Sequence, residues 1–115
     1  MVTSSSKIPP LKRPPTELLR LHAALQQASA FASSYKNNAK LWTMVRNALD
    51  QLLVAEWRAG RLLGTRPSEA YFVRCDASTM TQVDIANGRM VATVGVATLK
   101  PAEFELLTVV QQTAT

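Results

Sequence analysis

YFVRCDASTMTQVDIANGRMVATVGVATLKPAEF, residues 71–104, decides the fold. Tyr71, Val73 and Cys75 alternate with Phe72 and Arg74, the period of two that sends successive side chains to opposite faces of a strand. Residues 90–97, MVATVGVA, are apart from Met90 β-branched or small and carry no charge, which predicts a strand buried on the fold's interior. Asn87-Gly88 before it reads as a tight turn, because both residue types tolerate positive φ. Lys100-Pro101 breaks the run, since proline has no N–H for a ladder and biases its predecessor toward extended backbone. A strand pattern then resumes. Phe104, Leu106, Thr108 and Val110 fall on one face, with Glu103, Glu105, Leu107 and Val109 on the other. The expected strands are therefore 69–75, 90–97 and 103–110, and a proline at Leu106 would on this reading remove a ladder donor.

Upstream, the apolar period changes from two to about 3.6. Thr16 follows a proline and precedes Glu17, the arrangement of a helix start, and Leu18, Leu21, Leu25 and Ala28 recur at helical spacing after it. Asn38 is placed to cap a second, longer helix whose stripe is Leu41, Val45, Ala48 or Leu49, Leu52 and Trp57, with Arg46, Asn47, Asp50 and Gln51 turned away. Gly60 ends it, and Gly64 with Pro67 turns the chain into the first strand. Helices are expected over 16–29 and 40–59. The predicted fold is α+β: two helices packed on a small mixed or antiparallel sheet, with a core of Leu41, Val45, Leu49, Leu52, Phe72, Val94 and Val96.

The side chains that do chemistry are scarce. One His (His22) and one Cys (Cys75) give no nucleophile–base pair, and no serine sits in an elbow sequence. Glycine totals four, too few for phosphate-cradling loops, and no metal-spaced cluster occurs. Asp76 and Asp84 lack the further oxygen ligands of a cation loop. Thr81 with Asp84 instead spells a capping box on a single helical turn. Cys75 inside a strand pattern reads as a small buried hydrophobe. No enzyme is expected, and no cofactor or metal.

At 115 residues the chain is long enough for one domain with a sizeable core, and no apolar run approaches the roughly 18 residues of a membrane span. The net charge of +5 is unevenly placed. Residues 1–40 hold Lys7, Lys12, Arg13, Arg20, Lys36 and Lys40 against Glu17 alone, while residues 41–115 are balanced. Residues 1–15, MVTSSSKIPPLKRPP, lack periodicity and carry four prolines, the composition of an extended arm with Ile8 and Leu11 as its apolar contacts. The domain itself is expected over 16–115. The basic third admits a second reading, a small nucleic-acid-binding protein using residues 1–40, weakened by the absence of interleaved stacking aromatics or a recognition motif.

The order FVRCD, TMTQVDIANGR, VGVATLKPAEF, preceded by LWTMVRNALDQLLVAEWRAGRLLG, resembles the C-terminal domain of contractile phage tail sheath proteins over roughly residues 16–110. The family's larger preceding domains have no counterpart among these 115 residues, and the expectation is a sheath-like domain standing alone. It implies a structural subunit of a contractile phage tail or phage-tail-like injection system, as a reduced sheath or a terminal or baseplate adaptor. Implied partners are copies of itself in a ring or helical tube, and sheath, tail-tube or baseplate proteins; no membrane is implied. The implied place is a virion or phage-tail-like particle assembled in the bacterial cytoplasm. Subunits of this family join through strands supplied by terminal arms, which points to Ile8, Leu11, Phe104, Leu106, Thr108 and Val110 as interface residues and to 103–110 as a strand that can be exchanged with a neighbour.

Overall fold

The computed structural model describes residues 15–114. Helix α1 spans Pro15–Ala28 and α2 Ala39–Arg58, with a short 3-10 turn, Ala30–Ser34, between them. A four-residue helix α3, Pro67–Ala70, leads directly into strand β1, Tyr71–Arg74. A second 3-10 turn (Ala77–Thr79) and α4 (Gln82–Ala86) precede β2, Arg89–Val96, and β3, Glu105–Gln112, ends the sheet. The sheet is antiparallel throughout, in the order β1-β2-β3. The α+β prediction holds, and the choice between mixed and antiparallel falls to the latter.

Local chemistry sets each boundary. The Asn38 side chain accepts from the Leu41 N–H at 3.1 Å, satisfying one of the orphan donors of the α2 start. At its other end Gly60 takes φ +82°, its N–H bonds Trp57 O, and Arg61 N–H bonds Glu56 O, a Schellman exit that favours glycine at the left-handed position. Thr81 and Asp84 form the expected capping box on α4, and Asp76 caps the preceding turn with Thr79 in the same reciprocal manner. Asn87-Gly88 serves differently from the expected turn. Asn87 keeps φ −94° and only Gly88 goes positive, at +72°, because the pair closes α4 before the chain enters β2.

The core lies between the helices and one face of the sheet. Leu41, Val45, Leu49 and Leu53 of α2 and Leu21 and Leu25 of α1 pack with Met90, Ala92, Val94 and Val96 of β2 and Val109 of β3. Two predicted core residues stand elsewhere. Leu52 is only half-buried, because the four-residue step from Leu49 places Leu53 inward. Phe72 lies on the opposite face of the sheet, where its ring crosses Gly95 and meets Phe104 edge-on at 5.1 Å. A Cβ on Gly95 would come 2.1 Å from Cε2 of Phe72, so the missing side chain is what lets the ring lie there. The expected strand start at 69 moves to 71, since α3 takes Glu69 and Ala70, and the one at 103 moves to 105.

Candidate subunit interface

A sheet of three strands has two edges, and this one treats them unequally. Ala97 N–H bonds Ala70 O at 2.8 Å, and register then pairs Phe72 with Gly95 and Arg74 with Thr93. Tyr71 and Val73 therefore turn their backbone groups outward. The Tyr71 N–H is taken by Pro67 O within α3. Cys75 O, one step further, accepts from the Arg46 guanidinium of α2. Between them, among the described residues, Tyr71 C=O and both polar groups of Val73 meet no partner. They border a cleft of about 330 Å³ lined by Arg46, Asn47, Asp50, Pro67, Ser68 and Phe72 as well. Burial pushes the Tyr71 phenol up, and the neighbouring Asp50 carboxylate pushes it the same way. The cleft thus joins an open strand edge to the polar face of α2.

The β3 edge is covered from Thr108 onward, while the outward backbone groups of Leu106, the Thr108 N–H and those of Gln112 meet no partner among the described residues. Thr113 N–H bonds Gly88 O, so in register with β2 the residues 105, 107, 109 and 111 face inward and 106, 108, 110 and 112 face out. Gln26 of α1 meets Val110 as a strand would: its Oε1 accepts from Val110 N–H at 3.1 Å and its Nε2 donates to Val110 O at 3.2 Å. His22 Nε2 donates to Thr108 O at 2.7 Å, and Ala114 N–H bonds Tyr35 O. Gln111 donates from its amide to Gln26 O at 2.7 Å and to the buried Ser29 hydroxyl at 3.1 Å.

Of the residues expected at an interface, Leu106, Thr108 and Val110 share the sheet face away from the helices. Leu106 is 65% exposed, Thr108 exposed and Val110 half-buried. Phe104 sits beside that face against Phe72. Ile8 and Leu11 lie outside the described residues. In this chain β3 pairs with its own β2 over eight residue pairs. The outward direction of the Leu106 N–H also corrects the expectation that a proline there would cost a ladder bond. Leu107 holds that position.

Charge is used mainly to fasten elements. Glu56 is nearly enclosed, with Arg61 gripping both its oxygens at 2.9 and 3.0 Å and Arg20 of α1 adding a bond at 3.1 Å. Its carboxyl is held below the usual range by the Arg61 hydrogen bonds, against the opposing effect of burial, with Arg20 contributing further. Arg20, one of the basic groups of residues 1–40, is thereby engaged within the fold. Cys75 is buried, and its thiol is pushed up to about 12, chiefly by desolvation. Among the described residues no group of three or more His, Cys, Asp or Glu side chains is placed to hold a metal ion, and no helix is long and apolar enough to cross a membrane.

No protein-family model and no curated protein sequence matches the chain. Solved structures do. The chain is similar to one in the cryo-EM structure of the anti-feeding prophage (AFP) baseplate, 6-fold symmetrised: 35% identical, TM-score 0.68, over 79% of this chain and 26% of that one. It is also similar to a chain of an extracellular contractile injection system, the PVC sheath complex in its contracted state. There the identity is 38% and the TM-score 0.63, over 76% of this chain and 25% of that one. The chain thus spans about a quarter of the length of each, and its α+β domain is of a kind found in contractile injection systems.

Proposed function

We propose that this chain is a structural subunit of a contractile phage tail or phage-tail-like injection system, a reduced sheath or a terminal or baseplate adaptor. It joins neighbouring sheath or baseplate subunits by accepting an extended segment on the outer edge of β1. The observation that carries this reading is the unpaired Tyr71 carbonyl and Val73 N–H and C=O opening into the cleft beside α2. An added strand satisfies those groups while its alternate side chains enter the cleft. The likeness to baseplate and sheath chains supports the setting. Arms such as residues 1–15 of a neighbour are the natural donors, with Ile8 and Leu11 as the apolar side chains they bring.

Val73→Pro tests the mode of assembly. Its N–H points outward, so the substitution removes the docking donor and leaves the β1–β2 ladder whole. The variant should melt within a few degrees of the parent chain yet be missing from particles purified from the producing cells, as should a variant lacking residues 1–15. Particles that incorporate both variants normally overturn docking on β1. Cryo-electron microscopy of the same particles tests the setting, and absence of the chain from sheath and baseplate alike overturns it. A salt titration of DNA binding separates this reading from the nucleic-acid alternative, which requires useful affinity and a steep slope.

A further inference from the structure

The two edges of the sheet differ in what guards them. Edge strands are ordinarily protected from self-pairing by lysines, prolines, bulges or brevity. β3 has none of these: from Leu106 to Ala114 the sequence LLTVVQQTA carries no charge, proline or glycine, and the strand is eight residues long. That is the composition of a segment that pairs readily with copies of itself. What stands in the way is α1. Gln26 occupies with one amide both bonding positions of Val110, His22 covers the Thr108 carbonyl, and Gln111 fastens the helix from the strand side through Gln26 O and Ser29.

We infer that α1 is a surrogate strand that blocks the β3 edge against a second copy of this chain, so that growth of the sheet is confined to the β1 edge. The partner excluded is another β3, antiparallel across a two-fold axis. Such a contact is self-complementary: centred on Thr108, it sets Thr108 beside its own copy and Leu106 beside the copy's Val110. The guard is specific in its chemistry. A glutamine side chain carries the same donor and acceptor as a peptide group, and it is held here at the register an incoming residue would take.

The test is the double variant His22→Ala/Gln26→Ala, which keeps good helix formers on α1 and strips the guard. Its association is followed by sedimentation over a concentration series beside the parent chain. The expected result is self-association at least tenfold tighter than the parent's, reversed by adding Thr108→Pro. Thr108 N–H points outward, so that proline removes an edge donor and no bond to β2. Val73→Pro should leave this association untouched, which separates it from assembly through β1. A double variant that associates no more tightly than the parent overturns the inference, as does association that survives Thr108→Pro. If the double variant does not fold, Gln26→Ala alone is read by the same criteria.

Discussion

Replacing Glu56 by Gln removes one negative charge from a nearly enclosed position and leaves the shape intact. Three charge-assisted bonds are lost or weakened, two from Arg61 and one from Arg20. Bonds to charged groups contribute about 1.5–3 kcal/mol each when buried. Both arginines are more than half exposed, however, and water can take them back, so the total is discounted to about 1–2 kcal/mol. For a domain of this size that corresponds to a melting temperature lower by roughly 3–8 °C. The pH dependence follows from the direction of the shift. Because the Glu56 carboxyl is depressed in the folded chain, its contribution is fully present above the unfolded carboxylate value, about 4.3, and is lost as pH falls through the folded value. Thermal melts of the parent and of Glu56→Gln should therefore differ by a constant amount between about pH 5 and 7 and converge in acid. Equal stability at pH 7, or a gap that persists undiminished at the acid end, would refute the assignment of this cluster as an electrostatic fastener between α1, α2 and the turn at Gly60.

Leu53→Ala should cost about 2–5 kcal/mol in urea unfolding while Leu52→Ala costs clearly less; the reverse order would show that α2 is rotated from its assigned face. Gly95→Ala should destabilise by about 1–3 kcal/mol because Phe72 must leave its place over the strand, and in a Phe72→Ala background the added penalty should largely vanish. Cys75 should resist a thiol reagent at pH 8 in the folded chain and react promptly in denaturant, since burial holds it protonated; prompt labelling of the native chain contradicts the packing of β1.

The parts legible in the sequence are those with a long, uninterrupted period. Leu41, Val45 and Leu49 define α2 over enough turns that its caps fall within a residue of Asn38 and Gly60, and the uncharged 90–97 run leaves β2 no alternative. Beyond Leu49 the same stripe offers Leu52 and Leu53, and a step of three or four is equally regular. Only the direction of approach of the sheet selects Leu53. Phe72 reads as core from sequence because strand alternation gives two faces without saying which one the helices cover. The edges were least legible. Backbone polarity along β3 depends on which residues pair with β2, so nothing in ELLTVVQQ says that Leu106 donates outward and Leu107 inward. Arg46 and Asp50 read as residues turned away from the apolar stripe, since a polar residue facing a strand edge and one facing water have the same spacing on a helix; for the same reason nothing in the sequence singles out His22 or Gln26.

Helix α1 runs parallel to β3: His22 meets Thr108, and Gln26, four residues on, meets Val110. Pro15 therefore lies toward the start of β3, and Ala114 leaves from its far end. Tension applied between residues 15 and 114 acts along the strand axis and loads the β2–β3 rungs side by side, together with the glutamine and histidine bonds on the other flank. None of those bonds can be peeled one at a time from an end. A domain pulled in this geometry yields by sliding rather than by unzipping, so its resistance to stretching exceeds what its modest sheet would offer if both ends left from the same side.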